Sequence, residues 1–496
     1  MESDNMIKED EKKSPKKSIE DILTMDKYCC LVLAFSQFCL LNGAAAMLFM
    51  MYAGAKPKSM LCISETSNYT DGCSLSPSQM QELNCTLEPV YQFESVYVDF
   101  QMYCEEGKWV KKSISVQMFG VLIISIAYVF VTVFGLLSTL ANDLISFTVL
   151  RTLLGFFNAG LFGVYGVYKT EHLPRKHRFL VSTVISWSPN MILLSFAARF
   201  SGDWRTFQYA ISALSAPAVF FFFFIYESPR WLIQKGKIDE ALRVLENIQK
   251  RNGKEVVSKE ELTEMLQIEK EKFEGVNRKR KNYDARHLFS SKSMSLITSV
   301  FLFGKFSTSL ANYGMMFDIE TLSGSIFTNA LLMGIIRWTM AISVGLMDFK
   351  FQNLGRKTIH LCAQSAIGIS LLIIAVVFAI HDEKQAALLI RILTLIATSI
   401  ASQVLLTKSM VTIEYYPTMV RNSAMSFEST FSRIGTIVAP LFIVLFDAKY
   451  LQYVLFAALS LTDAGLFQAF LPETKGSHLP DEMPKKKEKE SNKLTA

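Results

Sequence analysis

The sequence predicts an all-α polytopic membrane protein built from two helical bundles, the first about one span short. Three observations predict it. Half of the 496 residues are hydrophobic and only 19% are charged, with a mean hydropathy of +0.26. The apolar residues fall in uninterrupted runs such as 28–55, 114–140, 207–226 and 359–380, each long enough to cross a hydrocarbon core of roughly 30 Å. A highly charged segment, 227–293, divides these runs into two sets. Inside a bilayer only helices and closed barrels satisfy their own backbone. Runs that are continuous rather than alternating select the helix.

The first 27 residues are polar and rich in Lys and Glu, which predicts a solvated tail. The first apolar run is too long for the core of a cleavable signal, so it is expected to stay as a signal-anchor. Lys and Arg gather at 8–27, 169–178, 230–293 and 485–493. Such clusters mark the cytoplasmic side and place both termini there. They alternate with Asp and Glu and flank apolar runs, which argues against a nucleic-acid partner. The 38 Phe and 22 Met suit lipid-facing and helix-packing surfaces.

The polar segment 56–112 reads as a large extracellular loop. It holds Cys62, Cys73, Cys85 and Cys104 and two glycosylation sequons, at Asn68 and Asn84. Paired cysteines beside sequons fit an oxidising compartment. No Cys-x-x-Cys pair is present to suggest zinc, and four cysteines leave three pairings open. Cys29, Cys30, Cys39 and Cys362 lie in apolar runs, where thiols act as small hydrophobes.

Spans are predicted at 28–55, 144–168, 179–199, 207–226, 294–316, 326–347, 359–380, 387–412, 422–446 and 452–471, with one further apolar stretch at 114–140. The domains follow: a tail, 1–27; a first bundle, 28–226; a charged linker, 227–293; a second bundle, 294–471; and a tail, 472–496. The linker carries a helical pattern in Ile238–Leu245.

Several short motifs resemble one family. Glu227-Ser-Pro-Arg230-Trp-Leu232 follows the first bundle, Glu414-Tyr-Tyr-Pro-Thr-Met-Val-Arg421 lies in the second, and Pro472-Glu-Thr-Lys-Gly476 closes it. Glu171 to Arg178, Leu354-Gly355-Arg356-Lys357 and Arg151-x-x-x-Gly155 fit the turns and the fourth span. Over about residues 20–480 the chain is similar to the organic cation, organic anion and carnitine transporters of solute carrier family 22, within the major facilitator superfamily. The resemblance implies two related bundles that alternate access to a central substrate site.

Glu171 and Arg178 repeat the Glu-x6-Arg spacing of Glu414 and Arg421, as a fold built from two related halves requires. With Glu227, Arg230, Gly355, Arg356 and Lys357 these residues form an expected cytoplasmic charge network. Carboxylate–guanidinium pairs there would latch the halves while the cell-side gate is shut.

The chain departs from the family in one place. The family places two spans and a charged loop before the fourth span, whereas Ser113 to Asn142 is a single stretch without charge. Two spans and a turn need about 36 residues at a minimum of roughly 17 per span. About 30 are present.

Charge inside spans marks function by default. The second half carries Lys305, Arg337, Lys408 and Arg433 within apolar runs, with Tyr313 nearby. Arg433 falls where the family's cation carriers have Asp and its anion and carnitine carriers have Arg. The expected function is therefore secondary transport of small organic anions or zwitterions at the plasma membrane. Its partners would be the organic ion, the bilayer and a coupling ion or counter-substrate. No phosphate-binding Gly-x-x-x-x-Gly-Lys-Ser/Thr loop and no nucleophile–base constellation is present, so neither an enzyme nor a cofactor or metal is expected. The alternatives are a transport-incompetent or regulatory membrane protein and a cation carrier of the same family.

Overall fold

The computed structural model describes residues 24–63, 68–69, 73, 86–104, 106–120, 128–173, 181, 184–253, 258–278, 285–319, 322–350, 355–380, 385–445 and 448–474. Helix dominates them, as the continuous apolar runs predict. Contacts divide the chain into two compact units. The first is drawn from the chain up to Leu41, Phe162–Ser186 and Leu214–Lys281, and the second from Asn42–Leu161, Trp187–Ala213 and everything from Asn282 onward.

The chain enters on helix α1, Lys27–Ala53, whose apolar length qualifies it as a membrane span. A three-stranded antiparallel sheet follows, formed by β1 (Ser59–Ile63), β2 (Asn68–Tyr69) and β3 (Thr86–Val90) in the order β2-β1-β3. Cys62 lies opposite Tyr69 on one side and Leu87 on the other. The sequence predicts a loop here, and the structure places three short strands in it. The strands are short, and their pairing is held by long-range contacts that periodicity does not reveal.

Helices α2 (Gly107–Gly120) and α3 (Tyr128–Ser138) occupy the stretch that looked one span short. Among the described residues neither reaches span length. Asp143 then caps α4 (Leu144–His172), its carboxylate accepting the Ser146 amide at 2.9 Å. Helices α5 (Trp187–Ser201), α6 (Trp204–Ser215) and α7 (Pro217–Phe222) complete the first half. The expected span 207–226 is split between α6 and α7, where Pro217 starts a new helix.

The linker is folded. Ser228 caps the short α8 (Pro229–Gln234). Helix α9 (Ile238–Asn252) has apolar residues at 238, 241, 242, 245 and 248, a single helical face, and ends on Gly253 in the left-handed region, φ +70°. That face packs with Tyr28, Val32, Leu232 and Ile233 and with Leu262, Met265 and Leu266 of α10 (Lys259–Arg278). Asn252 fixes the docking, its Oδ1 accepting the Tyr28 amide at 3.0 Å. This cluster is the core of the first unit.

The second half contains six span-length helices among the described residues: α11 (Lys292–Phe317), α12 (Ile326–Lys350), α13 (Arg356–Ile380), α14 (Ala387–Tyr415), α15 (Thr418–Leu445) and α16 (Lys449–Phe470). They correspond one for one to the runs read from sequence. Helix α13 packs along α14 and α16, and α11 along α14, α15 and α16. Helix α2 lies against α15, and α5 against α12, so the second unit also takes in helices from the first half of the chain.

Candidate substrate site and charge networks

The cations read from sequence separate into two kinds. Arg337, on α12, is buried. Its guanidinium donates to Asn312 Oδ1, to the Thr398 carbonyl at 3.0 Å and toward the Met191 sulfur at 3.6 Å. Tyr313 is among its electrostatic neighbours. Arg433, on α15, is half-buried, with Nη1 3.5 Å from the sulfur of Met47 on α1. Sequence reasoning treated Arg151 only as a family motif. It is buried on α4, stacked on the Phe49 ring at 4.0 Å, and donates to Gln208 Oε1 at 3.1 Å and the Ala46 carbonyl at 2.9 Å. Among the described residues none of these three guanidinium groups has a carboxylate within ion-pair distance. A lone charge in the apolar run 144–168 was the available signal for Arg151.

Lys305 and Lys408 differ, because each has a protein carboxylate beside it. Lys305, on α11, lies 3.7 Å from Glu428 and donates to Ser409 Oγ at 2.6 Å and the Leu405 carbonyl at 3.0 Å. Lys408, on α14, pairs with Asp463 and donates to the Gly304 carbonyl at 2.7 Å and Thr308 Oγ1 at 2.8 Å. An ionised side chain at mid-span costs about 2.5–3.5 kcal/mol on insertion scales. Pairing offsets that cost for the lysines, whereas among the described residues the three arginines meet neutral groups.

A second network sits where α13 begins and α14 and α16 end. The Glu473 carboxylate accepts the amides of Arg356 at 2.7 Å and Lys357 at 3.1 Å, neutralising the positive N-terminus of α13. Position 355 must be glycine for this approach, since a Cβ there would run into the Glu473 carboxylate. Glu414 accepts from Arg356 Nη2 at 3.2 Å and Thr474 Oγ1 at 2.6 Å. Arg421, the spacing partner of Glu414 in sequence, donates its Nε to the Tyr416 carbonyl at 3.2 Å. Glu473 and Thr474 were legible only as part of the closing motif.

In the first unit, Glu171 is half-buried at the end of α4, Glu227 is exposed and Arg230 is half-buried on α8. Arg178 lies outside the described residues. The Tyr28 and Tyr226 rings stack at 5.5 Å, and the Tyr168 hydroxyl donates to the Tyr226 carbonyl at 2.7 Å. Cys73 and Cys104 form a disulfide, with Cα atoms 5.5 Å apart, and Cys62 is also disulfide-bonded. Cys85 and Asn84 lie outside the described residues, and Asn68 falls on β2.

A family profile described as "Sugar (and other) transporter" matches residues 113–483. The "Organic cation transporter protein" of Drosophila melanogaster is 28% identical over 359 residues, covering 70% of this chain and 63% of that protein. "Organic cation/carnitine transporter 2" of Homo sapiens is 27% identical, covering 71% and 61%. "Solute carrier family 22 member 7" of Rattus norvegicus is 26% identical, covering 72% and 65%. The chain thus spans less than two thirds of the length of these curated relatives. Among solved structures, the xylose transporter XylE from E. coli, in a partially occluded inward open conformation, superimposes with a TM-score of 0.57 at 15% identity, covering 91% of this chain and all of that one. The POT family transporter PepTSo gives 0.51 at 10% identity, covering 90% and 98%. These likenesses are of fold. The chain is a multi-pass membrane protein of the sugar (and other) transporter family, with a major facilitator fold and a similarity to solute carrier family 22.

Proposed function

We propose that the chain is a secondary carrier that moves small organic anions or zwitterions across the plasma membrane by alternating access. One observation carries the reading. Arg151, Arg337 and Arg433 have no carboxylate partner among the described residues, whereas Lys305 and Lys408 do. An uncompensated guanidinium in a span is costly, and a carboxylate or sulfate brought by a substrate offsets that cost with bidentate hydrogen bonds. The relatives' names include a cation carrier and a cation/carnitine carrier, and carnitine is a zwitterion that carries a carboxylate. Arg433 is the residue on which the sign turns here. The charge network around Arg356, Glu414 and Glu473 then serves the gate, together with Glu171, Arg178, Glu227, Arg230 and Arg421. No chemical step at an enzyme-like centre is part of this reading.

The test is uptake of labelled p-aminohippurate, carnitine and tetraethylammonium into vesicles holding the purified chain. Uptake of the anion or zwitterion that falls in Arg433→Ala supports the reading, and a preference for tetraethylammonium refutes the sign. A second reading, a transport-incompetent membrane protein with a regulatory part, is favoured by the stretch Ser113 to Asn142, whose length falls below the roughly 36 residues that two spans and a turn need. It predicts no flux of any probe.

A further inference from the structure

The second bundle holds a closed group of titratable side chains apart from the three arginines. Asp463 is fully buried on α16, and Lys408 is fully buried on α14. His360, on α13, is buried with its Nε2 3.7 Å from Asp463 Oδ2, and among the described residues neither ring nitrogen has a partner within hydrogen-bond distance. The imidazole stacks on Phe467 at 3.7 Å. Asp463 Oδ1 is likewise without a partner. Lys305 on α11 and Glu428 on α15 stand beside this trio, and Glu428 also accepts from Thr412.

Five of the six helices of the bundle contribute one titratable group each. The charged neighbours of Lys408 are Asp463 and Glu428. Those of Lys305 are Glu428 and Lys408, and those of His360 are Asp463 and Lys408. Glu428 also faces the Tyr416 phenol at the end of α14. Two lysines and two carboxylates balance in charge when ionised, and an unprotonated imidazole adds none. Gly304 is required for it, since a Cβ there would collide with Asp463 Oδ1 and the Lys408 ammonium.

His360 borders a cavity of about 230 Å³ between α12, α13 and α14, lined also by Ser343, Gln403 and Thr407 and by the apolar Met340 and Val404. His360 is the fifth residue of α13, so its ring lies about 6 Å along the helix from Arg356 and the charged end.

We propose that this group binds and releases the proton that drives the carrier, with His360 as the acceptor. The proposal rests on the reading of the chain as a secondary carrier. A proton that reaches the buried group adds to a ring nitrogen of His360. The resulting imidazolium faces Asp463 and competes with Lys408 for its carboxylate, and the group carries one net positive charge. That excess charge in a buried site biases the packing of α13, α14 and α16 toward a second arrangement. Loss of the same proton to the other side restores the neutral ring, so one proton is taken up and one released per cycle. A buried ion pair retained only for stability would gain little over an apolar replacement, and it would not need an unpartnered imidazole against its carboxylate.

The experiment is a pH jump over the purified full chain in vesicles on a solid-supported membrane, with no organic substrate. A transient current is expected in wild type and in the control His287→Gln, and its loss is expected in His360→Gln and in Asp463→Asn. No transient in wild type, or an undiminished one in both variants, overturns the proposal. Wild type alone decides the first point, so a variant that folds poorly does not remove the test. A concentration jump of p-aminohippurate or tetraethylammonium at equal pH on the same membranes reports on the carrier reading separately. A probe response without a pH transient sinks the proton site and leaves the carrier standing. A pH transient lost in both variants, without any probe response, supports the proton site and counts against the carrier.

Discussion

Glu473 caps the helix that starts at Arg356, accepting the Arg356 amide at 2.7 Å across 117 residues of chain. The contact ties the closing motif of the sequence to the loop before α13, and a side chain at residue 355 would displace the Glu473 carboxylate from its present place. Gly355→Ala and Glu473→Gln should each weaken the same interaction. A lost cap of this kind costs typically about 1 kcal/mol. The expected outcome is a lowered unfolding temperature for each variant in detergent. The double variant should be little worse than the poorer single one, because both act on one contact. Additive losses would show that the two residues act separately.

Glu414 meets Arg356 and Thr474 in this structure, and Arg421 holds the Tyr416 carbonyl. If the cluster serves the gate, its rupture should change conformational exchange more than substrate binding. Glu414→Gln and Arg421→Ala are expected to lower maximal uptake while leaving the half-saturating concentration close to wild type. The same holds for Glu171→Gln in the first half. Kinetic uptake at matched surface expression measures it. A raised half-saturating concentration with unchanged maximal rate would assign these residues to binding.

Most of the helices were legible because lipid imposes a strong pattern. The six runs of the second half became α11 to α16, since long apolar stretches in a bilayer satisfy their backbone as helices. The face Ile238, Ala241, Leu242, Leu245 was legible by its spacing, though not its docking on Tyr28 and Val32. The strands at Ser59–Ile63 and Thr86–Val90 were not, being five residues each and set by cross-strand partners. In the candidate site, Arg337, Arg433, Lys305 and Lys408 stood out as charges in apolar runs. What sequence does not supply is the partner. Glu428 and Asp463 come from α15 and α16, and which cation each meets depends on helix packing. The Glu-x6-Arg spacing brought Glu414 and Arg421 to one end of the bundle, yet Glu414 took its guanidinium from another helix.

The sheet and its disulfides predict the behaviour of the segment between α1 and α2. Cys73 and Cys104 close 31 residues of sequence separation, a loop whose closure stabilises by about 3–4 kcal/mol in the chain-entropy picture. Cys73→Ser should therefore reduce surface delivery from a secretory host and raise protease sensitivity in this segment. If Asn68 and Asn84 carry glycans, glycosidase treatment should sharpen and shift the band. Asn68→Gln with Asn84→Gln should abolish the shift. A wild-type protein from that host with no glycan would remove the main support for an extracellular assignment.

Arg433 gives the most direct test of substrate sign. Its guanidinium is half-buried, with the Met47 sulfur at 3.5 Å and no carboxylate partner among the described residues. A methionine sulfur is a weak acceptor, so little in the protein competes with an arriving anion for the arginine. Arg433→Ala is expected to lower anion uptake by an order of magnitude or so, as loss of a charged hydrogen bond worth about 1.5–3 kcal/mol implies. Arg433→Lys should recover only part of it, because an ammonium lacks the planar fork that grips two oxygens. Arg433→Asp should be worse than Ala for anions and should admit tetraethylammonium, since the reversed charge repels one probe and attracts the other. Arg337 offers a contrast. It is held by Asn312 and the Thr398 carbonyl, so Arg337→Lys strips hydrogen bonds from the protein itself and is expected to reduce expression as well as uptake. Uptake of matched anionic and cationic probes, normalised to surface protein, separates these outcomes. If Arg433→Asp leaves anion uptake untouched, the substrate charge is read elsewhere, and the unpaired Arg151 becomes the next residue to change.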